Sequence, residues 1–184
     1  PYDGEPIYNL GLALKYQGRY NEAYDRFYKA CWNAAWQDAA YYALAQLDTR
    51  KGKYESALDK IDRSLIRNWH NHKARQLKIS ILRKLGRKEE ALALVAESLQ
   101  IDRFNMGCRF EHYLLTRDVE VLEEMKKLMR GWAHGYIEYA LDFAAAGLCE
   151  EALSLLECYV TGVTEVYPVV YYTMGYFHTC KGDE

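Results

Sequence analysis

Apolar and small residues recur along the chain at the three- and four-residue spacings of an amphipathic helix. The first set precedes Gly18: Ile7, Leu10, Gly11 and Leu14. The second set follows it: Ala23, Phe27 and Ala30. Residues at these spacings share one face of a helix. The pattern therefore predicts two amphipathic helices joined by a tight turn at Gly18.

This hairpin pattern repeats with a period of 34 residues. Gly18, Gly52 and Gly86 are 34 positions apart, and the alanines five positions after each glycine keep the same period. A glycine just past the end of a helix adopts left-handed backbone angles without the steric cost of a Cβ atom. An alanine allows two helix axes to approach closely where they cross. We therefore expect each glycine to follow a first helix and each alanine to lie at a helix crossing.

The second half of the chain follows the pattern less regularly. After the third unit, we expect a shortened unit with helices over 105–115 and 119–130, an N-cap at Asp118 and a helix end at Gly131. Gly147 restores the pattern in a fifth unit. The predicted units are 4–37, 38–71, 72–104, 105–131, 132–166 and a partial unit, 167–184. The sequence thus predicts an all-α chain of about eleven helices.

Helical hairpins of this length, with Leu10-Gly11 in the first helix and Ala23 and Phe27 in the second, resemble the tetratricopeptide repeat (TPR) family. The resemblance covers nearly the whole chain, although Ile7 stands where the family has tryptophan. It implies an α-solenoid of TPR helix hairpins in a right-handed superhelix, whose first helices line a concave groove. It also implies a non-catalytic protein–protein interaction scaffold that binds a peptide or a partner domain in that groove.

The opening stretch, residues 1–30, is also similar to the start of the TPR portion of large multidomain bacterial proteins of an uncharacterised, carbohydrate-linked family. This similarity implies that the chain is a fragment of a longer protein. It also leaves an alternative function open, in which the repeats form a structural or regulatory domain that packs against the enzymatic part of their own longer chain. We expect the interaction scaffold, because the repeat carries no catalytic motif.

In the family's arrangement, one face of each first helix is directed into the groove. The positions on that face combine tyrosines, amides and cations, which suit extended peptides or acidic segments. These predicted groove residues are Tyr8, Leu12, Lys15, Tyr42, Gln46, Thr49, Arg50, Lys73, Gln76, Ser80 and Arg83. Some members of the family grip peptide C-termini with a lysine and an asparagine one turn apart in the first repeat. Tyr8 and Leu12 occupy those positions here, so we expect a different mode of peptide binding.

The charge balance and the apolar content restrict the class of partner. The 184 residues include 24 Lys and Arg against 26 Asp and Glu, for a formal net charge of −2. A dedicated nucleic-acid-binding protein is clearly basic, so we expect no nucleic acid partner. No apolar run reaches the ~20 residues that span a bilayer, so we expect no membrane insertion. The five cysteines lack a CxxC pair, which favours free thiols and a reducing, cytoplasmic location.

Motifs that cradle phosphate, activate a serine or hold zinc are missing from the sequence. Two clusters still permit other chemistry. His70 and His72 could supply metal ligands, although solvated turn residues are the simpler interpretation. Cys149 and Cys158 are nine positions apart and are interpreted as separate thiols, not as a redox pair. We therefore expect no cofactor, no bound metal and no enzyme activity.

Aromatic residues are frequent, with 17 tyrosines and 4 tryptophans. We expect most tyrosines to pack in the core, because their rings fit between helices while the hydroxyl group reaches the edge. Those at repeat positions are Tyr20, Tyr41, Tyr54, Tyr136 and Tyr171. We expect Trp32 and Trp36 to pack between the first two units, and Trp132 between the fourth and the fifth.

The partial sixth unit predicts one further interaction. A terminal repeat normally presents a polar capping face. The helix of this unit instead carries several apolar residues and has no second helix to cover them: Tyr171, Met174, Tyr176 and Phe177. We therefore expect self-association through this C-terminal orphan helix.

Overall fold

The computed structural model describes residues 3–180. Within this range the chain forms eleven α-helices and a single 3₁₀ turn at Ala34–Trp36, and no residue is in a strand. The helices are α1 (Gly4–Tyr16), α2 (Tyr20–Ala30), α3 (Gln37–Arg50), α4 (Tyr54–Arg67), α5 (His72–Lys84), α6 (Lys88–Ile101), α7 (Met106–Thr116), α8 (Val119–Met129), α9 (Ala133–Ala145), α10 (Cys149–Val160) and α11 (Val169–Cys180). The predicted all-α fold and its number of helices are confirmed.

The helices divide into two compact units, the first ending at Gly86 and the second beginning at Arg87. In the first unit, α1 packs against α2, α3 against α4, and α2 and α4 each contact the first helix of the next hairpin. In the second unit, α7 packs against α8, α9 against α10, and α11 contacts both α9 and α10. Each unit is therefore built from helices that pack against their neighbours in the sequence, as the hairpin pattern predicts.

The periodic glycines adopt the left-handed conformation that the sequence predicts. The φ angles of Gly18, Gly52 and Gly86 are 74°, 69° and 73°. A Cβ atom at any of these three positions would meet nothing within 4 Å. The backbone angle, and not a shortage of space, is thus the reason for glycine there, because an L-residue would pay ~1–2 kcal/mol for the same angle.

The periodic alanines lie where space is limiting. Ala23, Ala57, Ala91 and Ala152 are fully buried in the first turns of α2, α4, α6 and α10. A larger side chain at such a site would overpack the crossing by ~1–3 kcal/mol. In the first three repeats, most residues between the glycine and the alanine are exposed, so their identity can differ from one repeat to the next.

The first helix of the shortened fourth repeat, predicted over 105–131, begins one residue later than expected. The side chain of Asn105 caps α7 by accepting a hydrogen bond from the amide of Cys108 at 3.1 Å, so the helix itself starts at Met106. Asp118 caps α8 as predicted, with its Oδ1 atom 2.9 Å from the amide of Glu120. Helix α8 ends at Met129, and Arg130 and Gly131 both have positive φ angles. The turn therefore needs two left-handed residues, of which the sequence indicated only the glycine.

Two of the tryptophan predictions are wrong. Trp32 is 68% exposed and Trp132 is 60% exposed, so neither is wedged between helical hairpins. Helix α2 ends at Ala30, and the following turn leaves Trp32 at the surface. Trp132 immediately precedes α9, where its ring lies against the backbone of Gly135. Trp36 is half-buried, as predicted for a packed ring, and its ring centroid lies 4.9 Å from that of Tyr8.

The tyrosines vary in burial more than the repeat pattern predicts. Tyr136 is buried against Tyr159, and its burial raises the pKa of its hydroxyl group to about 12. Tyr20, Tyr41 and Tyr54 are half-buried: each keeps one edge at the surface. Tyr171 is exposed, because the side of α11 that packs on the second unit is the one carrying Val170 and Phe177. The prediction of a core position for Tyr171 is therefore wrong.

All five cysteines have free thiols. Cys31, Cys108 and Cys149 are buried, and Cys158 and Cys180 are half-buried. Burial raises the pKa of the Cys158 thiol above its ordinary value, so it is neutral at physiological pH. The prediction of separate thiols is confirmed.

Candidate functional site

All the predicted groove residues lie on α1, α3 and α5, the first helices of the hairpins that begin in the first unit. Helix α3 contacts α5, and α1 and α3 are linked by a side-chain hydrogen bond from Lys15 Nζ to Gln46 Oε1 at 2.5 Å. The structure therefore brings residues 31 positions apart into direct contact. The repeat spacing predicts this neighbourhood, because Lys15 and Gln46 stand on consecutive first helices.

Four of the predicted groove residues are buried between helices: Gln46, Thr49, Gln76 and Ser80. The hydroxyl groups of Thr49 and Ser80 donate to carbonyl oxygens of their own helices, those of Ala45 at 2.7 Å and Gln76 at 3.2 Å. A hydroxyl group satisfied in this way has little to gain from a ligand. These four residues lie beneath the predicted groove surface and present little area for contact with a ligand.

Tyr8 and Leu12 form an apolar margin on α1. Both side chains pack against the core of the first unit, and the ring of Tyr8 lies 5.4 Å from that of Phe27 between ring centroids. Burial is the main cause that raises the pKa of Tyr8, and the negative charge of Asp38 adds to it. The hydroxyl group of Tyr8 is thus uncharged at neutral pH and can act as a donor or an acceptor, but not as a base.

The remaining accessible side chains are mostly cationic. Lys15, Arg50 and Arg83 are half-buried and Lys73 is exposed. The other accessible side chain is Tyr42 on α3, whose ring is half-buried. The guanidinium group of Arg50 lies over the ring of Tyr20, 4.5 Å from its centroid. This cation–π contact restricts the rotamers of Arg50, which reduces the entropy lost when it binds an anion.

Helix α5 strengthens the positive charge of this surface. It carries no acidic residue and five basic ones: Lys73, Arg75, Lys78, Arg83 and Lys84. Lys78 pairs with Asp62 of α4 at 2.7 Å between Nζ and Oδ1, and Arg75 is fully buried. The charge that α5 presents at its surface therefore comes mainly from Lys73, Arg83 and Lys84. The helix as a whole still favours an anionic partner over a cationic one.

Arg75 has a structural role that the sequence did not indicate. It occupies the position in the third repeat that corresponds to Ile7 in the first, and it is fully buried. Its guanidinium group lies 4.4 Å from the centroid of the Trp69 ring, and Nη1 donates to the carbonyl oxygen of Trp69 at 3.4 Å. The only signal in the sequence was a tryptophan six positions before an arginine, which does not predict this contact.

His70 and His72 lie on either side of the N-cap residue of α5. Asn71, between the two histidines, caps the helix by accepting a hydrogen bond from the amide of Ala74 at 3.0 Å. His70 precedes the cap residue and is exposed, and His72 is the first residue of the helix. Over residues 3–180, no group of three or more His, Cys, Asp and Glu side chains is arranged to hold a metal ion. In the same range, no helix combines the length and the apolar character that crossing a membrane requires.

Comparison with solved structures identifies proteins of the same fold. No protein-family model matches the sequence. A solved TPR protein from Parabacteroides merdae aligns over all of this chain and 74% of its own, with a TM-score of 0.67 and 19% sequence identity. YrrB, described as a TPR protein with an unusual peptide-binding site, aligns over 94% of this chain and 92% of its own, with a TM-score of 0.59 and 18% identity. A thermophilic TPR protein from Thermus thermophilus aligns over 97% and 98%, with a TM-score of 0.60 and 15% identity.

These similarities agree with what the chain shows on its own: paired helices, left-handed glycines at a 34-residue period and small residues at the helix crossings. At such low sequence identity they extend to the fold and not to a ligand. The chain has the fold of the tetratricopeptide repeat proteins.

Proposed function

We propose that this protein is a non-catalytic interaction scaffold whose first unit binds an extended acidic peptide along α1, α3 and α5. The observation that carries the proposal is that three consecutive first helices each carry cations that are not fully buried, and that α5 has no acidic residue. These cations are Lys15 on α1, Arg50 on α3, and Lys73 and Arg83 on α5. The fold supports it, because a solved protein of the same fold is described as having a peptide-binding site.

Electrostatics would set the specificity of this surface. Carboxylates of the peptide would pair with the half-buried arginines, where the planar guanidinium group can hold a carboxylate through two hydrogen bonds. The half-buried tyrosines Tyr8 and Tyr42 would contact the apolar part of the peptide. Since several of these pairs would remain partly solvated, binding would weaken as the salt concentration rises.

The proposal is tested by reversing two charges, Arg50→Glu and Arg83→Glu, in one variant. We expect the affinity for a fluorescein-labelled peptide of alternating glutamate and glycine to fall by about tenfold or more, because each lost pair contributes on the order of 1 kcal/mol and each new carboxylate repels the peptide. Fluorescence anisotropy at two salt concentrations measures the affinity and its salt dependence.

The matched control is Lys53→Glu with Arg67→Glu, which makes the same change in net charge at two exposed positions at either end of α4. If this control weakens binding as much as the arginine variant, the effect comes from net charge and the proposed site is wrong. A lysine–glycine peptide that binds the wild-type protein as tightly as the glutamate–glycine peptide would also contradict it.

We further propose that α11 mediates self-association. Tyr171, Tyr172 and Tyr176 are exposed on this helix, and a Cβ atom added at Gly175 between them would meet nothing within 4 Å. Gly175 occupies the position in α11 that Gly11 occupies in α1. A Cβ atom at Gly11 would lie 2.7 Å from the ring of Phe27 on the packed helix α2. Gly175 thus leaves room for a closely packed helix, and a second copy of the chain can supply one.

The replacement of Tyr172 and Tyr176 by serine tests this second proposal. We expect the wild-type protein to increase in mass with concentration and the double variant to stay monomeric, because the variant loses two large apolar contacts. Sedimentation equilibrium over a range of concentrations measures this. Tyr16→Ser is the control, since Tyr16 is an exposed tyrosine on α1. A wild-type protein that is monomeric throughout, or a double variant that associates equally well, would refute the role of α11.

A further inference from the structure

A pocket of about 220 Å³ lies on the first unit between the second helices α2 and α4, with α3 beneath it. None of the predicted groove residues lines it. Its walls are aromatic and come from three parts of the chain: Tyr24 and Tyr28 on α2, Trp32 after α2, and Tyr41 on α3. The pocket is therefore a second concave feature, built from a different set of helix faces.

The rim of this pocket leaves large apolar side chains in water. Trp32 is 68% exposed and Tyr28 is 55% exposed. Beneath them the floor is uncharged: Leu44 is buried, and burial raises the pKa of the Cys31 thiol to about 11. Exposed Trp and Tyr over an apolar floor are typical of the residues that contribute most to protein–protein binding.

The charged side of the pocket is provided by α4. Lys60 is neutralised by Asp48, at 2.7 Å between Nζ and Oδ2. Arg63 is more exposed, and its Nε atom lies 3.0 Å from Asp59 Oδ2 while its guanidinium carbon lies 5.7 Å from the centroid of the Tyr41 ring. The bond to Asp59 is made by Nε, and Arg63 also makes a side-chain hydrogen bond with Tyr41. The two terminal amino groups carry four N–H donors, more than the bond to Tyr41 uses, so donors remain to take a carboxylate from a ligand. Asp59 disfavours further negative charge at the same place.

The size of the pocket decides the class of ligand. Sites for free small molecules enclose ~300–1,000 Å³, so this pocket is too small to bury a typical one. It has room for one large side chain. We propose that the pocket receives an aromatic side chain of a partner protein, with a single acidic residue next to that side chain in contact with Arg63. The aromatic ring would stack among Tyr24, Tyr28 and Trp32, and its burial would cover the exposed rim.

The experiment selects peptides from a phage-displayed library of short random sequences against the full chain. We expect the enriched peptides to share Phe, Tyr or Trp beside one Asp or Glu. Their affinity is expected to fall by about tenfold or more for Trp32→Ala and by a smaller factor for Arg63→Gln, because the aromatic contact dominates. Both substitutions affect exposed side chains, and the far-ultraviolet circular dichroism of each variant checks its fold.

Two control variants separate this pocket from the proposed groove. Trp132→Ala removes a similarly exposed tryptophan from the second unit and should leave binding unchanged. Arg50→Glu with Arg83→Glu should also leave it unchanged. The pocket proposal is overturned if no aromatic motif is enriched, if the selected peptides bind Trp32→Ala as tightly as wild type, or if only the Arg50 and Arg83 variant loses them. The last result would support the acidic-peptide groove alone, so the two proposals fail separately.

Discussion

Replacing Lys60 with methionine is expected to lower the free energy of unfolding of the first unit by about 3 kcal/mol. The side chain of Asp48 is only 4% exposed and that of Lys60 only 13%. Their salt bridge is part of a small network, in which Ser56 Oγ donates to Asp48 Oδ2 at 2.8 Å and Lys60 Nζ lies 2.7 Å from Ser56 Oγ. Methionine has a similar length but no charge, so the carboxylate of Asp48 would stay buried with one neutral partner.

Lys60 is charged in the folded protein. Burial alone lowers the pKa of its amino group, but the hydrogen bonds with Asp48 and Tyr24 more than offset that effect, and the pKa lies above its ordinary value. The amino group of Lys60 therefore keeps its positive charge across the neutral range. Removing one member of a buried ion pair costs more than removing both, because the remaining charge keeps its desolvation penalty.

The measurement is urea denaturation followed by tryptophan fluorescence, since Trp32, Trp36 and Trp69 all report on the first unit. Arg63→Met is the matched control: it breaks an exposed pair with Asp59 on the same helix and should cost less than about 1 kcal/mol. The double variant Asp48→Leu with Lys60→Met should recover most of the lost stability. Equal losses for Lys60→Met and Arg63→Met would mean that water screens the buried pair as well as the exposed one.

The repeat could be predicted because its two fixed residues report on local geometry. Gly18, Gly52 and Gly86 mark positions where the backbone turns left-handed, and Ala23 and Ala57 mark positions where two helices cross. Each requirement arises within one hairpin of adjacent helices, so it recurs at the same spacing. Hydrophobic period and turn chemistry were therefore sufficient to give the helices and most of their ends.

The exposure of individual side chains could not be predicted in this way. Gln46 and Gln76 belong to the helix face assigned to the groove, yet both are buried, because each first helix packs against helices on several sides. Whether a polar residue on that face is at the base or at the surface depends on rotamers and helix separation, which the spacing does not encode. The assignment of the groove residues as ligand contacts stays a prediction.

Contacts between a helix and a neighbouring turn could also not be predicted from the sequence. Arg75 occupies the position that corresponds to Ile7 in the first repeat, and its buried guanidinium group lies over the ring of Trp69 from the preceding turn. Trp32 was predicted to pack between the first two repeats because it follows a second helix, whereas the end of α2 at Ala30 leaves it beside the aromatic pocket. In both cases a turn, and not a helix face, determines where the aromatic ring lies, and turns are where periodicity carries least information.

Replacing Phe27 with alanine is expected to cost about 3–5 kcal/mol of the free energy of unfolding. Phe27 is fully buried in the core of the first unit, and its ring lies so close to α1 that a Cβ atom on Gly11 would be 2.7 Å from it. The ring of Tyr8 lies on the same side, 5.4 Å away between centroids. Alanine would leave a cavity that the two helices can close only in part.

The reciprocal fit of Phe27 and Gly11 gives a sharper test than the loss of stability alone. Gly11→Ala by itself should destabilise the first unit, because the new Cβ atom would lie 2.7 Å from the buried ring of Phe27. A contact this close favours the upper part of the ~1–3 kcal/mol overpacking range, which exceeds the ~1 kcal/mol gained in helix propensity. In the Phe27→Ala background the same substitution should stabilise, since the added methyl group fills part of the vacated space and keeps the propensity gain. Urea denaturation of the two single variants and the double variant measures this coupling, with Phe104→Ala, an exposed phenylalanine, as the control. If Gly11→Ala has the same effect with and without the phenylalanine, the close contact between α1 and α2 does not explain the glycine.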